Sequence, residues 1–104
     1  MVLIHIICDS PAQANDIVDF LIDEKLMLNA LVSNKVLHKR SKNGQKESLE
    51  QTLVMGTTKA LLFNKINKRI KKKFAENLPL IYAMPIIYMD EAQSADLRSS
   101  TEKT

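Results

Sequence analysis

The chain has 104 residues, of which 45% are apolar and 26% are charged, a composition typical of globular proteins and unlike that of disordered or membrane-embedded chains. Its net charge is only +3, and no apolar stretch reaches the ~20 residues needed to cross a bilayer. We therefore expect a single domain, residues 1–104, with no membrane partner. The lone cysteine, Cys8, rules out an internal disulfide and suits a reducing compartment, so we expect a cytoplasmic protein.

The opening segment, MVLIHIIC, predicts a central strand from Val2 to Cys8, because it is apolar on both alternating sets apart from His5. It has no basic leading region and is followed at once by Asp9, so it is not interpreted as a secretion signal.

A first helix is predicted after this strand, where Ser10 offers an N-cap, Pro11 suits the first helical position and Gln13 can close a capping box. Phe20 falls off the apolar stripe and indicates a packing or subunit contact. The stripe comprises Ala14, Ile17, Val18, Leu21 and Ile22. The opposite face carries Asp16, Asp19 and Asp23, which we interpret as solvated acids and not as a paired-carboxylate site.

Two further strands are predicted at about 30–41 and 48–56, joined by a tight hairpin at Asn43 and Gly44, because both of these residues tolerate positive φ. The pattern leaves open whether Leu49, Leu53 and Met55, or the register of Val54, face the core.

Thr57 and Thr58 can cap a second helix running from 59 to about 76, and a last strand is predicted from Leu80 to Met89. Pro85 cannot donate to a strand ladder, so this strand should lie at an edge or carry a bulge. The polar tail has a short helical segment at about 91–97, and its end, about 98–104, is predicted to fray.

The predicted order is strand, helix, strand, strand, helix, strand. This order indicates an α+β, ferredoxin-like βαββαβ sandwich with two helices on one face of an antiparallel sheet.

Four features of the sequence occur at a joint spacing. They are the hairpin turn at Gly44, the second-helix start at Thr58, the strand PLIYAMPI, residues 79–86, and the first-helix positions Ala14, Ile17, Leu21 and Leu26. In these features the sequence resembles the CutA divalent-cation tolerance family along nearly its whole length. CutA proteins are trimers similar in shape to PII-type signalling proteins, so the resemblance implies a homotrimer and suggests a divalent metal ion such as copper as a ligand.

The polar positions of the family are mostly replaced. Asn29 stands where the family usually has Cys, Arg40 and Lys42 replace its aromatic residues ahead of the hairpin glycine, and Leu80 replaces the Glu after the proline. The resemblance therefore assigns no metal-binding residue here.

Soft-metal ligands would have to come from Cys8, His5, His38 and the methionines. His5 and Cys8 are three apart on a strand and point to opposite faces, Cys8 is expected in the core and His38 on the surface. Core or subunit contacts are expected for Met27, Met55, Met84 and Met89. No GxSxG or P-loop occurs, so we predict no catalytic residues, no cofactor-binding residues and no enzyme.

Basic residues are concentrated in one segment: seven of the fifteen Lys and Arg lie between Glu50 and Glu76, where there is no Asp or Glu. On a helical wheel these cations fall largely opposite Ile66 and Ile70, so we interpret them as the solvated face of the second helix. No RNA-binding strand motif accompanies Tyr82 and Tyr88, so nucleic acid is not the expected partner.

Three hypotheses follow. The first is a non-enzymatic, trimeric CutA-like protein linked to metal tolerance or acting as a signalling or assembly scaffold. The second is a polyanion-binding module that uses Lys65, Lys68, Arg69, Lys71 and Lys72. The third is a PII-type ligand sensor with sites between subunits, where Arg40, Lys42 and Lys46 would meet an anion.

Overall fold

The computed structural model describes residues 1–104 and contains four strands and three α-helices. The strands are β1 (Val2–Cys8), β2 (Leu31–Lys42), β3 (Gln45–Thr58) and β4 (Leu80–Pro85). The helices are α1 (Pro11–Asp23), α2 (Phe63–Lys73), which follows a 3-10 turn at Ala60–Leu62, and α3 (Glu91–Ser100).

The four strands form one antiparallel sheet in the order β2-β3-β1-β4. β1 is central, as predicted, and β4 is an edge strand, which accommodates Pro85. The predicted α+β, ferredoxin-like sandwich is confirmed.

One face of the sheet forms the core with α1 and α2. Ile4, Ile6 and Cys8 of β1 are fully buried on this face together with Val54 of β3, which settles the register that the sequence left open. The two helices bury residues of their apolar stripes against it. These helical residues are Ala14, Ile17, Leu21, Ile66 and Ile70.

The beginning of α1 follows the prediction closely. The Ser10 side chain accepts a hydrogen bond from the Gln13 amide at 3.1 Å. The Gln13 side chain accepts in turn from the amide of Asp9, one residue before the cap. The two bonds thus satisfy one backbone donor in the first turn of α1 and one just ahead of the helix.

The hairpin turns at Asn43 and Gly44, whose φ angles are +53° and +78°, as the two-residue turn requires. Its far part, residues 36–51, extends beyond the end of β1 and pairs only with itself; we call it the hairpin arm. A bulge separates Ser33 from Val36 on β2, and Lys35 adopts a positive φ there.

Several boundaries differ from the sequence predictions. β3 runs from Gln45 to Thr58 and is longer than the predicted 48–56. β4 ends at Pro85 and not at Met89, because the ladder with β1 runs out opposite Val2. The threonines do not cap the second helix: Thr58 still belongs to β3, and its hydroxyl donates to the buried carbonyl of Leu26 at 2.7 Å. α2 consequently starts later than predicted, at Phe63. It ends at Lys73, three residues before the predicted end at about 76.

The prediction of a frayed tail is wrong up to Glu102. α3 continues to Ser100, and Thr101 is buried, with its hydroxyl donating to the Leu97 carbonyl. The amide of Glu102 then donates to the carbonyl of Lys25 at 2.7 Å, which holds the tail against the end of α1.

Candidate functional site

The second face of the sheet, opposite α1 and α2, is largely apolar. It carries the alternate residues of each strand: Leu3, His5, Ile7, Leu31, Leu53, Met55, Leu80, Tyr82 and Met84. We call this set the open face. Leu31 is 70% exposed and Leu80 50%, so the open face is an extended apolar surface of a kind that isolated soluble proteins seldom leave in water.

The sequence predicted that β1 is buried on both faces. In the single chain only the face toward α1 and α2 is fully buried. Leu3, His5 and Ile7 are half-buried by their neighbours on the open face. His5 lies among the apolar residues, with its Nδ1 3.1 Å from the hydroxyl of Tyr82 on β4. The one polar pair on the open face is thus hydrogen-bonded internally and does not oppose burial of the surface around it.

The basic face of α2 is partly neutralised by acids from other elements. Lys65 forms an ion pair with Glu102 of the tail, and Arg69 lies 3.8 Å from Glu24 and 3.9 Å from Glu102. Lys73 stacks over the ring of Phe20, 4.5 Å from its centroid. Three of the six cations therefore have intramolecular partners, and Lys68, Lys71 and Lys72 are exposed.

Phe20 makes the packing contact predicted for it. Its ring meets that of Phe74 edge-on, with centroids 6.3 Å apart. The carboxylates of Asp16, Asp19 and Asp23 lie on the exposed side of α1 beside these rings, as solvated acids.

On the hairpin arm, Arg40 donates two hydrogen bonds to Glu47 at 3.1 and 2.7 Å. Lys42 and Lys46 lie next to the turn and are exposed. Arg40 is therefore held by an acid of its own hairpin. Arg40 and Lys46 line one pocket with Glu47, and Lys42 does not line it.

A polar chain at the base of the hairpin arm was not predicted from the sequence. The Gln51 side-chain amide donates to Asp9 at 3.0 Å, so its oxygen faces Nδ1 of His38 and accepts from it. Gln51 is buried, and this network satisfies its amide while fixing the tautomer of His38. A long-range contact between a helix-capping loop and a strand leaves no signal in local sequence.

Candidate soft-metal ligands are dispersed. Cys8 is in the core, His5 is on the opposite side of β1, and His38 belongs to the polar chain of the hairpin arm. Met27 is buried beside Gly56, whereas Met55 and Met84 belong to the open face. No group of three or more His, Cys, Asp or Glu side chains is placed to hold a metal ion within the chain.

Burial, with a smaller contribution from the charge of Asp9, raises the pKa of the Cys8 thiol from 9.0 to about 11. The unfolded chain ionises this thiol at lower pH than the folded one, so stability should fall as pH rises from about 9 to 11, by on the order of 2 kcal/mol. Cys8→Ala should lack this component in urea titrations at a series of pH values. An unchanged pH slope in Cys8→Ala would contradict the assignment.

Glu102 is expected to stabilise the tail through its contacts with Lys65 and Arg69. Because these groups are about one-third exposed, Glu102→Gln should lower the free energy of unfolding by only ~1 kcal/mol at low salt, and by less at high salt. The matched control is Glu76→Gln, an exposed position without an ion pair. Equal losses in the two variants would argue against a role for the Glu102 charge.

The element order, the antiparallel sheet and the helices on one side define a ferredoxin-like domain with a long hairpin arm. No protein-family model and no curated protein matches the sequence. Solved structures do match it. A divalent cation tolerance protein, Cut A1, from Thermus thermophilus superposes with a TM-score of 0.88 at 23% identity, over 98% of this chain and 100% of that one.

Two other neighbours have the same fold. CutA1 from Oryza sativa has a TM-score of 0.91 at 16% identity, covering 99% of this chain and 94% of that one. The periplasmic divalent cation tolerance protein CutA from Archaeoglobus fulgidus has a TM-score of 0.87 at 20% identity, covering 98% and 100%. The chain therefore has the CutA fold, as its sequence resemblance predicted.

No helix in the structure has the length and apolar character required to span a membrane.

Proposed function

We propose that this chain is a CutA-like protein that forms a homotrimer through its open face, acts without catalysing a reaction and takes part in divalent cation tolerance. The observation that supports assembly is the open face itself. Leu31, Leu80 and Tyr82 remain substantially exposed on the sheet surface opposite α1 and α2. Burial of such a surface contributes roughly 25 cal/mol per Å² of apolar area, which favours association with further copies.

Light scattering after gel filtration tests the assembly. The expected mass is near three times the 11.8 kDa of one chain. A monomer across the whole concentration range would overturn the proposal.

The tolerance role is supported by the shared fold with proteins described as divalent cation tolerance proteins. Within one chain no thiolate is offered to a metal ion, because Cys8 is buried and protonated at neutral pH and Asn29 stands at the family's Cys position. A metal ion, including copper, would therefore bind to the assembled trimer. We expect bacterial cells that express the protein to grow better in toxic Cu²⁺ than cells carrying an empty vector. Identical growth would remove copper from the proposal.

We propose a cytoplasmic location because the only thiol is an unpaired cysteine. The Archaeoglobus protein, by contrast, is described as periplasmic. Cell fractionation distinguishes the two, and recovery in a periplasmic or secreted fraction would contradict the cytoplasmic assignment.

The two alternative functions have weaker support. Of the five basic residues in the predicted polyanion site on α2, Lys65 and Arg69 already have acidic partners. Only Lys68, Lys71 and Lys72 remain to bind a polyanion. A PII-type sensor would bind its ligand in clefts between subunits. Arg40, one of the residues proposed to meet an anion there, already forms an ion pair with Glu47, which weakens this hypothesis.

A further inference from the structure

A cleft of about 680 Å³ lies between the 3-10 turn ahead of α2 and the outer side of α3. Its polar wall consists of Lys59, Ser94, Arg98 and Lys103, together with Thr104. Lys59 comes from the connection after β3, whereas the other residues come from α3 and the tail. No local sequence motif connects Lys59 to the rest. We call this feature the cationic cleft.

All three charged side chains of the cationic cleft are positive, and no Asp or Glu side chain lines it. None of the three takes part in an ion pair, in contrast to Arg40, Lys65 and Arg69. Lys59 donates to the main-chain carbonyl of Glu102 at 2.8 Å, and Arg98 donates to the Ser94 hydroxyl at 2.8 Å. These acceptors are neutral, so they orient the cations without cancelling their charge.

The orientation of Glu102 explains why the positive charges of the cationic cleft are not neutralised by the nearest acid. Its main-chain carbonyl contacts Lys59, but its carboxylate is directed to Lys65 and Arg69 on α2. The Glu102 carboxylate therefore neutralises charge on α2, and the side chains of Lys59, Arg98 and Lys103 give the cleft a positive side-chain charge.

The remaining wall of the cationic cleft is apolar, formed by Met1, Ala60 and Leu61. Leu61 is 78% exposed, although it directly precedes the buried Leu62. The cleft is open to solvent and combines an apolar wall with a few polar groups, as small-molecule sites do. An exposed leucine facing three unpaired cations complements a ligand that has both a charged group and an apolar body.

We propose that the cationic cleft binds a small organic anion carrying at least two negative charges, of the organic phosphate or polycarboxylate class. Lys59, Arg98 and Lys103 bind the charged group, and Leu61 packs against the organic part. None of the residues that line the cationic cleft belongs to the open face.

Isothermal titration calorimetry of the full chain with ATP and with citrate tests this proposal and separates the two sources of negative charge. Arg98→Gln/Lys103→Gln should weaken binding of the better ligand by about tenfold or more, since two charge contacts are lost. The matched control is Lys71→Gln/Lys72→Gln, which removes the same charge from residues that are equally exposed but lie on α2, outside the cleft, and it should change affinity by less than about twofold.

Two further measurements distinguish binding in the cationic cleft from non-specific electrostatic binding elsewhere on the protein. Leu61→Ser should weaken ATP binding and leave pyrophosphate binding unchanged, because only ATP has an organic part to pack there. Amide chemical-shift changes on adding ATP or citrate should centre on Leu61 and Ser94.

Equal losses in the two charge variants, or shifts centred on Lys68–Lys72, would overturn the proposal. So would failure of both ATP and citrate to bind at about 1 mM, or binding of only a single-stranded oligonucleotide, which would indicate a macromolecular polyanion instead. Light scattering on each variant reports assembly separately, so a failed trimer and a failed anion site give different results.

Discussion

Replacing Leu80 and Met84 with lysine should convert the proposed trimer into a monomer. Both residues lie on the open face of the edge strand β4, where they are 50% and 38% exposed in the single chain. The monomer can therefore solvate the new charges. In an assembly that covers the open face, the same ammonium groups would be buried without partners, at a cost of several kcal/mol each.

The control for this variant is Ile22→Lys/Leu78→Lys. These positions have the same exposed fractions, 38% and 50%, but lie on α1 and in the loop before β4, away from the open face. We expect Leu80→Lys/Met84→Lys to elute and scatter light as one chain, and the control to retain the trimer mass. Circular dichroism should show both folded. Dissociation of both variants, or of neither, would exclude the open face as the interface.

Substitution of Gly56 by alanine should lower the free energy of unfolding by about 1–3 kcal/mol through overpacking. A Cβ at this position would overlap Sδ of Met27 and lie 2.9 Å from its Cε and 3.0 Å from the carbonyl oxygen of Asn29. Met27 is buried, so its flexible side chain has little space to move into, and the Asn29 carbonyl belongs to the backbone. Urea denaturation measures the loss.

A second glycine and a double variant separate the causes. At Gly44 a Cβ meets nothing within 4 Å, but φ is +78°, so Gly44→Ala should cost about 1 kcal/mol through backbone strain alone. If contact with Met27 dominates at Gly56, the alanine there should cost less in a Met27→Ala background. An undiminished cost in that background would shift the cause to the backbone of Asn29.

Local patterns predicted the elements whose causes are local. The Ser10 cap, the apolar stripe of α1 and the Asn43–Gly44 turn all depend on residues within a few positions of one another. The predicted boundaries were wrong where a contact with a residue distant in sequence determines where an element begins or ends. Thr58 stays in β3 because its hydroxyl reaches Leu26, and Thr101 is packed because Glu102 reaches Lys25 and α2.

The sequence by itself determined the order of elements, the antiparallel sandwich and the central position of β1, because hydrophobic periodicity and turn chemistry are encoded over short distances. Only the tertiary structure decided which charges remain unpaired. Lys65 and Arg69 looked free in the sequence and find Glu102, whereas Lys59, Arg98 and Lys103 looked unrelated and line one cleft. Electrostatic pairing depends on distance in space, and the fold brings together residues that the sequence keeps far apart.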